Sequence, residues 1–169
     1  AEEDSEDTKR EKMLKTVRDE GFDCLVILGG NGTHKTANLL SQNGVNVVTL
    51  PKTIDNDVVP IRQSLGAWTA AEEVSEYSQN VIGEHRSNPR MLIIHEIMGR
   101  HCGWLTAAGS HRYHEWLKTQ ERVPSIGLSK ERWDIHDIFV PEMKIDLDAE
   151  AKRLKAIMDE KGNVHIFLS

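Results

Sequence analysis

Two short apolar runs separated by a helix-sized segment constrain the fold of this chain more than any other feature. Cys24–Leu28 (CLVIL) and Val45–Leu50 (VNVVTL) are rich in branched side chains, which is typical of buried strands in parallel sheets. Between them, Thr33–Ser41 (THKTANLLS) is predicted to be a helix with Thr36, Leu39 and Leu40 on one face, and Gly44 stands where a left-handed helix cap is favoured. A strand, a helix and a second strand this close in the chain predict a parallel sheet.

The same alternation continues to the end of the chain. Further helices are predicted at about residues 66–84, 102–120 and 146–160, and further strands at Met91–Ile94, Ile138–Val140 and Val164–Leu168. Arg122–Asp137 is the clearest irregular segment, and the acidic run at residues 1–12 indicates a solvated helix face. A length of 169 residues predicts one α/β domain that spans residues 1–169.

Composition excludes several classes of function. A net charge of -6, with 28% charged and 38% hydrophobic residues, is ordinary for a soluble protein and argues against a nucleic-acid or membrane-surface role. No apolar run approaches the roughly 18 residues of a membrane-spanning helix. The spacing of Cys24 and Cys102 supports neither a disulfide framework nor a zinc site, so we expect a cytoplasmic location.

A glycine-rich loop, GGNGT, follows the first predicted strand and opens the first predicted helix of this unit. It consists of Gly29, Gly30, Asn31, Gly32 and Thr33. Glycines can adopt positive φ and can let backbone N–H groups approach an anion at the positive end of a helix, so phosphate is the expected ligand. The alternative is a turn in which glycine serves close packing alone.

A second polar loop, PKTIDND, follows the next predicted strand. If this segment is extended, Asp55 and Asp57 point to the same side and repel each other unless a cation or a reacting proton lies between them. One carboxylate would then serve as a general base and the other would lie near a metal, with Lys52 offsetting phosphate charge. The alternative is an Asx turn with solvated acids. Ligands of parallel sheets bind beyond the carboxyl ends of the strands, where both loops are expected.

Three motifs occur in this order along the chain: "GGNGT", "PKTIDND" and "EIMGRHCGWLTAAGS". Together with "VPE" at Val140–Glu142, they resemble the 6-phosphofructokinases, and in particular their pyrophosphate-dependent branch. The resemblance runs from about Phe22 to the end of the chain. It implies a doubly wound, three-layer α/β sandwich and a magnesium-dependent glycolytic enzyme. The implied reaction is reversible phosphoryl transfer from pyrophosphate to the C1 hydroxyl of fructose 6-phosphate. The alternatives are an ATP-dependent 6-phosphofructokinase and a non-catalytic, sugar-phosphate-binding paralogue or regulatory subunit.

The resemblance implies roles for the residues of PKTIDND. Asp55 would be the catalytic base that accepts the proton of the C1 hydroxyl, and Asp57 would assist with Mg²⁺ and the transferring phosphoryl group. Thr53 would contact the sugar or that phosphoryl group, and Lys52 is the residue typical of pyrophosphate users.

The resemblance also implies two further groups of binding residues. Met98, Gly99 and Arg100 would line the fructose 6-phosphate site, and Arg90 would reach the sugar phosphate of a neighbouring subunit in a homo-oligomer. The GGNGT loop, residues 29–33, would bind the phosphate donor.

The sequence departs from the family pattern in three ways. Asn31 replaces the usual acid of the glycine-rich loop, so its amide oxygen would bind the metal with weaker attraction. Gly32 stands where many pyrophosphate users carry Asp; it favours ATP, whereas Lys52 favours pyrophosphate, and we give the charge change at Lys52 more weight. The family's earlier glycine-rich segment and its later sugar-binding acid are absent. We therefore expect an internal piece of a longer enzyme, inactive on its own.

Other residues that could carry chemistry have simpler explanations. His111 and His114 lie three apart on a predicted helix without a third ligand of suitable spacing, so they are expected to be surface or helix-end histidines. Trp104 and Trp116 are expected to be packing residues.

Overall fold

The computed structural model describes residues 5–85, 88–126 and 129–169. Its helices are α1 (Glu6–Asp19), α2 (Asn31–Gln42), α3 (Ala67–His85), α4 (Trp104–Thr119) and α5 (Leu147–Lys161). Its strands are β1 (Leu25–Gly29), β2 (Val47–Pro51), β3 (Met91–Glu96), β4 (Asp137–Phe139) and β5 (Asn163–Leu168). Among the described residues, no helix is both long and apolar enough to cross a membrane.

The strands form two sheets, β1-β2 and β3-β5-β4, and all three strand pairs of the described chain are parallel. The predicted α/β class with parallel sheets is therefore confirmed. Contacts divide the chain into two compact units. Unit 1 comprises residues up to Thr53 together with Asp57–Leu65, and unit 2 comprises Ile54–Asn56 together with Gly66–Ser169. The single domain expected from length stays a prediction.

Unit 1 contains the predicted strand, helix and strand. Helix α2 packs on both strands and buries Ala37 and Leu40. Of the residues predicted to share its face, Leu40 is buried and Leu39 is half-buried, whereas Thr36 is exposed. Gly44 follows the helix with φ +85°, in the left-handed region that the sequence predicted for it. Helix α1 buries none of its residues, which agrees with the predicted solvated face; residues 1–4 of the acidic run lie outside the described ranges.

Unit 2 is built around β5, the central strand of the three-stranded sheet. Its Phe167 and the α4 residue Tyr113 are fully buried, with ring centroids 6.3 Å apart, and belong to one apolar cluster with residues of α3 and α4. The two helices pack against each other. Trp104 and Trp116 pack against this cluster, as predicted.

The predicted irregular segment, Arg122–Asp137, contains two short 3₁₀ turns and the first residue of β4; residues 127 and 128 lie outside the described ranges. Hydrogen bonds fix it to regular elements: the Tyr113 hydroxyl donates to the Trp133 carbonyl at 2.6 Å, and Asn163 Nδ2 donates to the Arg132 carbonyl at 2.6 Å. These bonds explain how a segment without a regular ladder can cover the core.

Candidate active site

The glycine-rich loop joins β1 directly to α2. Gly30 is the N-cap residue of α2, and it supplies no side-chain acceptor to the first N–H groups of the helix. Those groups lie at the positive end of the helix dipole, so the loop has the elements of an anion site.

The expected positive φ of these glycines is wrong. Gly30 has φ -91°, Gly32 lies within α2, and none of the loop's glycines is among the residues with positive φ. Close packing accounts for Gly29 instead, because a Cβ there would overlap with the side chain of Thr33. Gly30 also lies close to Thr53, since its Cβ would lie 3.3 Å from that of Thr53.

Unit 1 brings the two predicted loops together at the carboxyl ends of β1 and β2. The backbone N–H of Lys52 donates to the Gly29 carbonyl at 2.8 Å, and its side chain is exposed. Asn31 Nδ2 donates to Asp57 Oδ2 at 2.8 Å across 26 positions of sequence. Lys52, Thr53 and Asp57 therefore gather around the start of α2, as expected for loops of neighbouring parallel strands.

The backbone turns between the two predicted acids. Asn56 has φ +53°, the left-handed conformation that asparagine tolerates better than most residues. The segment is therefore not extended, and the argument that Asp55 and Asp57 alternate on one side does not apply. Asp57 belongs to unit 1, whereas Asp55 belongs to unit 2 with its neighbours Ile54 and Asn56.

Within unit 2, Asp55 lies beside the turn that follows β3. Cys102 Sγ donates to the Asp55 carbonyl at 3.4 Å. The Cys102 N–H in turn donates to the Gly99 carbonyl at 3.3 Å, and a Cβ on Gly99 would overlap with the Cys102 carbonyl oxygen. Met98 and Arg100, on either side of Gly99, are exposed. The turn thus presents both predicted sugar-site side chains to solvent.

Glu142 of the VPE motif has a structural role that the sequence analysis did not predict. Its carboxylate accepts the Gly103 N–H at 2.9 Å through Oε1 and at 3.2 Å through Oε2, at the N-cap of α4. A Cβ on Gly103 would overlap with the side chain of Val140. A negative charge is favourable at this helix end. The quoted VPE motif was the available signal, but its partner lies 39 positions away in sequence.

Arg90 lies at the other end of β3. It immediately precedes the strand, whereas Met98–Arg100 follow it. Its guanidinium pairs with Asp159 at 2.7 Å, and hydrogen bonds from Lys155 and then Arg90 hold the pKa of the Asp159 carboxyl below its usual value. Arg90 does not join the predicted sugar-site residues within this chain, and its predicted contact with a neighbouring subunit stays a prediction.

His114 has a specific partner in unit 2. Its Nε2 lies 2.9 Å from Asp134 Oδ1, and this hydrogen bond is the main cause that lowers the pKa of Asp134. The described residues contain no group of three or more histidine, cysteine, aspartate or glutamate side chains that could hold a metal ion. Asn31 and Asp57, paired in unit 1, are the predicted metal ligands that the structure brings together.

A groove of about 680 Å³ in unit 2 is not the expected phosphate site. It is lined largely by apolar side chains of α3 and β3, and its acidic lining residues are Glu73 and Glu96. Two carboxylates on an apolar wall disfavour phosphate.

These features define an α/β protein whose polar loops lie at the carboxyl ends of parallel strands. The model of the phosphofructokinase family matches residues 1–169, and the chain belongs to that family.

The chain is similar to several curated relatives named pyrophosphate--fructose 6-phosphate 1-phosphotransferase. It is 56% identical over 166 residues to that of Propionibacterium freudenreichii, covering 92% of this chain and 41% of the relative. It is 50% identical over 172 residues to that of Methylotuvimicrobium alcaliphilum, covering 98% of this chain and 42% of the relative. The chain thus spans about two fifths of the length of these relatives. An ATP-dependent 6-phosphofructokinase of Spirochaeta thermophila is 42% identical over 106 residues, covering 62% of this chain and 29% of the relative.

Solved structures support the fold. A pyrophosphate-dependent phosphofructokinase from Marinobacter aquaeolei matches 95% of this chain and 40% of its own, with a TM-score of 0.67 and 21% identity. A phosphofructokinase from Pichia pastoris matches 92% of this chain and 16% of its own, with a TM-score of 0.68 and 18% identity. These likenesses establish a phosphofructokinase fold.

Proposed function

We propose that the protein carrying this chain transfers a phosphoryl group from pyrophosphate to the C1 hydroxyl of fructose 6-phosphate. The observation that carries the proposal is the joining of the two loops in unit 1, where Asn31 hydrogen-bonds Asp57 at 2.8 Å and Lys52 hydrogen-bonds Gly29 at 2.8 Å. Support for pyrophosphate comes from relatives of that name, which match 92% and 98% of this chain, against 62% for an ATP-dependent one.

The donor phosphates are proposed to bind at the start of α2. The uncapped N–H groups of Asn31, Gly32 and Thr33 offer hydrogen bonds to phosphate oxygens, and Lys52 offers a compact positive charge. Phosphoryl transfer depends chiefly on positioning and on neutralising the charge of the transferring group. Backbone donors and one ammonium supply both without covalent chemistry.

Asn31 and Asp57 are proposed to hold Mg²⁺. Both offer oxygen ligands, and their 2.8 Å hydrogen bond keeps them adjacent. Mg²⁺ is typically bound by one or two carboxylates, with water and substrate phosphates completing its shell, so this small donor set fits. When bound, Mg²⁺ would neutralise charge on the donor phosphates. The neutral amide of Asn31 attracts the ion less than a second carboxylate would.

Asp55 is proposed as the general base. As the C1 oxygen forms its bond to phosphorus, the bridging P–O bond of pyrophosphate breaks, phosphate leaves, and the hydroxyl proton passes to the Asp55 carboxylate.

Thr53 would hold the sugar or the transferring group. Met98, Gly99 and Arg100 would line the fructose 6-phosphate site, where the planar Arg100 guanidinium suits two phosphate oxygens. Arg90 would serve the site of a neighbouring subunit in a homo-oligomer. We also propose a glycolytic role in the cytoplasm.

One observation favours ATP as the donor. A Cβ placed on Gly32 would meet nothing within 4 Å, so the space at this position is open and could admit a larger donor. Comparing the two donors in the full-length protein decides between them, with a coupled aldolase assay at saturating Mg²⁺. Binding of fructose 6-phosphate without magnesium-dependent turnover would instead indicate a non-catalytic paralogue.

The proposed base is tested by Asp55→Asn in the full-length protein. We expect turnover to fall by about two to four orders of magnitude, since this is the range for a lost general base, while sugar-phosphate binding changes little. Asp148→Asn, at an exposed acid in the first turn of α5, is the control for loss of one charge. A rate within about threefold of the parent would contradict the assignment.

The proposed donor contact is tested by Lys52→Gly. We expect the specificity constant for pyrophosphate to fall far more than any measured for ATP, because pyrophosphate has no adenosine contacts to compensate. Lys144→Gly, at an exposed lysine outside the helices and strands, is the control. Equal losses with both donors would mean that Lys52 has a general structural role.

A further inference from the structure

The tripeptide Ile54–Asn56 is held in unit 2, although Thr53 before it and Asp57 after it belong to unit 1. Asp55 is its middle residue. What fixes this tripeptide in unit 2 therefore determines where the backbone of the proposed base lies.

Contacts on both sides of the peptide bond between Ile54 and Asp55 help to hold the tripeptide. The Ile54 side chain packs against the apolar cluster of unit 2. One residue further on, the Asp55 carbonyl accepts a hydrogen bond from Cys102 Sγ at 3.4 Å. The left-handed conformation of Asn56, at φ +53°, then turns the chain away. An apolar contact at Ile54 and a hydrogen bond at Asp55 thus hold the backbone just before it turns at Asn56.

Cys102 itself is held firmly. Its N–H bonds to the Gly99 carbonyl, and its own carbonyl lies so close to Gly99 that a Cβ there would overlap with it. The next residue, Gly103, is buried, and its N–H is bound by Glu142. The thiol therefore lies on a tight turn, two residues after the proposed sugar-site residue Arg100.

We propose that Cys102 is a positioning residue for Asp55, which rests on the proposed function of Asp55 as the base. The thiol does not touch the reacting atoms. It links the base's backbone to the turn that carries the proposed sugar site, so that the Asp55 carboxylate keeps hydrogen-bond reach of the C1 hydroxyl. A general base needs a heavy-atom distance of about 2.6–3.2 Å, and a misplacement of about 1 Å can cost on the order of 100-fold in rate.

The link is tested first on the backbone, in a measurement that does not depend on turnover. Hydrogen exchange is compared in the wild-type chain, Cys102→Ala and Cys102→Ser. We expect faster exchange in the peptide spanning residues 53–58 of Cys102→Ala, with exchange in β5 unchanged, and recovery in Cys102→Ser, since a hydroxyl is also a donor. Cys24→Ala, at the other, exposed cysteine, is the matched control and should behave as wild type.

The consequence for catalysis is tested in the full-length protein. We expect Cys102→Ala to lower kcat by about 5- to 50-fold, within the range for a small misplacement, with KM for fructose 6-phosphate changed less than about twofold. Cys102→Ser should recover most of kcat.

The outcomes separate the inference from the proposed function. Turnover with neither donor, together with faster exchange at residues 53–58, would sink the proposed function and leave the Cys102 link standing. Unchanged exchange in Cys102→Ala, or equal kcat losses in the alanine and serine variants, would overturn the positioning role.

If Cys102→Ala does not fold, the Raman S–H stretch of Cys24→Ala decides, since its one thiol is Cys102. A frequency at or above that of a thiol without an acceptor, measured for a model thiol in an apolar solvent, would overturn the link.

Discussion

Gly29→Ala should destabilise unit 1, because the structure leaves no room for a side chain at this position. A Cβ on Gly29 would overlap with three side-chain atoms of Thr33, including Cγ2 at 2.6 Å. Thr33 cannot easily swing away, since a β-branched residue in a helix has few accessible χ1 rotamers. Either β1 or the first turn of α2 must shift, and the Gly29 carbonyl that accepts the Lys52 N–H shifts with it.

The size of the effect follows from two opposing contributions. Inserting a methyl into a packed site typically costs about 1–3 kcal/mol. Replacing glycine by alanine returns about 0.4–1 kcal/mol by restricting the unfolded chain. The expected net loss in the free energy of unfolding of unit 1 therefore lies between about 0 and 2.6 kcal/mol.

The assay must report on unit 1. All four tryptophans, at positions 68, 104, 116 and 133, lie in unit 2, so their fluorescence reports chiefly on that unit. Urea-dependent hydrogen exchange of peptides covering β1 and β2 measures unit 1 directly. The matched control is Gly32→Ala in the same loop, where a Cβ meets nothing within 4 Å and the glycine already lies in α2.

The comparison can refute the packing argument. We expect Gly32→Ala to be neutral or slightly stabilising, since alanine is the better helix former by about 1 kcal/mol. Thr33→Gly costs a similar amount by itself but should relieve the overlap, so the double variant Gly29→Ala with Thr33→Gly should lose less than the sum of the two. Equal stabilities of Gly29→Ala and Gly32→Ala, or strict additivity in the double variant, would show that the overlap is absent.

Three further predictions each concern the environment of one residue. Asn31→Asp adds a carboxylate beside Asp57, so it should increase the rise in the thermal unfolding midpoint that Mg²⁺ causes. The exposed control Asn38→Asp should not, and equal responses to Mg²⁺ would contradict metal binding by residues 31 and 57. Burial, and then the charge of a nearby lysine, lowers the pKa of His136, so the unfolded state takes up protons at higher pH than the folded state does. The stability from a neutral His136 should therefore be full above pH ~6.5 and fall as pH drops below it, and His136→Gln should flatten that fall in urea titrations. Glu142→Ala should cost about 0.5–2 kcal/mol as a lost helix cap, while Glu142→Gln keeps one acceptor and should lose less; identical unfolding midpoints for both would show that the cap contributes nothing.

Local periodicity was enough to predict the strand, helix and strand of unit 1, because each element's residues carry their own pattern. The predicted helix began at Thr33, whereas α2 begins at Asn31. The difference arises because the N-cap is Gly30, which has no side-chain acceptor and so lacks the usual start signal. A helix N-terminus without a side-chain acceptor can bind an anion. The glycine N-cap therefore hid the first residue of α2 in the sequence, and it also suggests the ligand.

The geometry of the acidic loop could not be read from its own residues. An alternating Asp-Asn-Asp pattern favours an extended reading with both acids on one side. The structure has a left-handed Asn56, and the Asp55 carbonyl accepts a hydrogen bond from Cys102, 47 positions away in sequence. No local pattern signals a weak thiol donor at that distance, so a tertiary contact decides which way the proposed base is presented.

The glycines of the recognised motifs show what these loops require physically. Gly29 lies in GGNGT, and Gly99 and Gly103 lie in EIMGRHCGWLTAAGS. A Cβ at each would overlap with a neighbour: the Thr33 side chain, a backbone carbonyl and the Val140 side chain, respectively. Gly29 and Gly103 do not have positive φ, so glycine is needed there for close approach rather than for backbone freedom. The loops proposed to carry chemistry are therefore closely packed at these three glycines, and a shift at any one of these contacts would move a functional group as well as weaken the fold. This coupling predicts that alanine at Gly103 changes both the cap at Glu142 and the neighbouring Cys102 turn, whereas alanine at the open Gly32 changes neither.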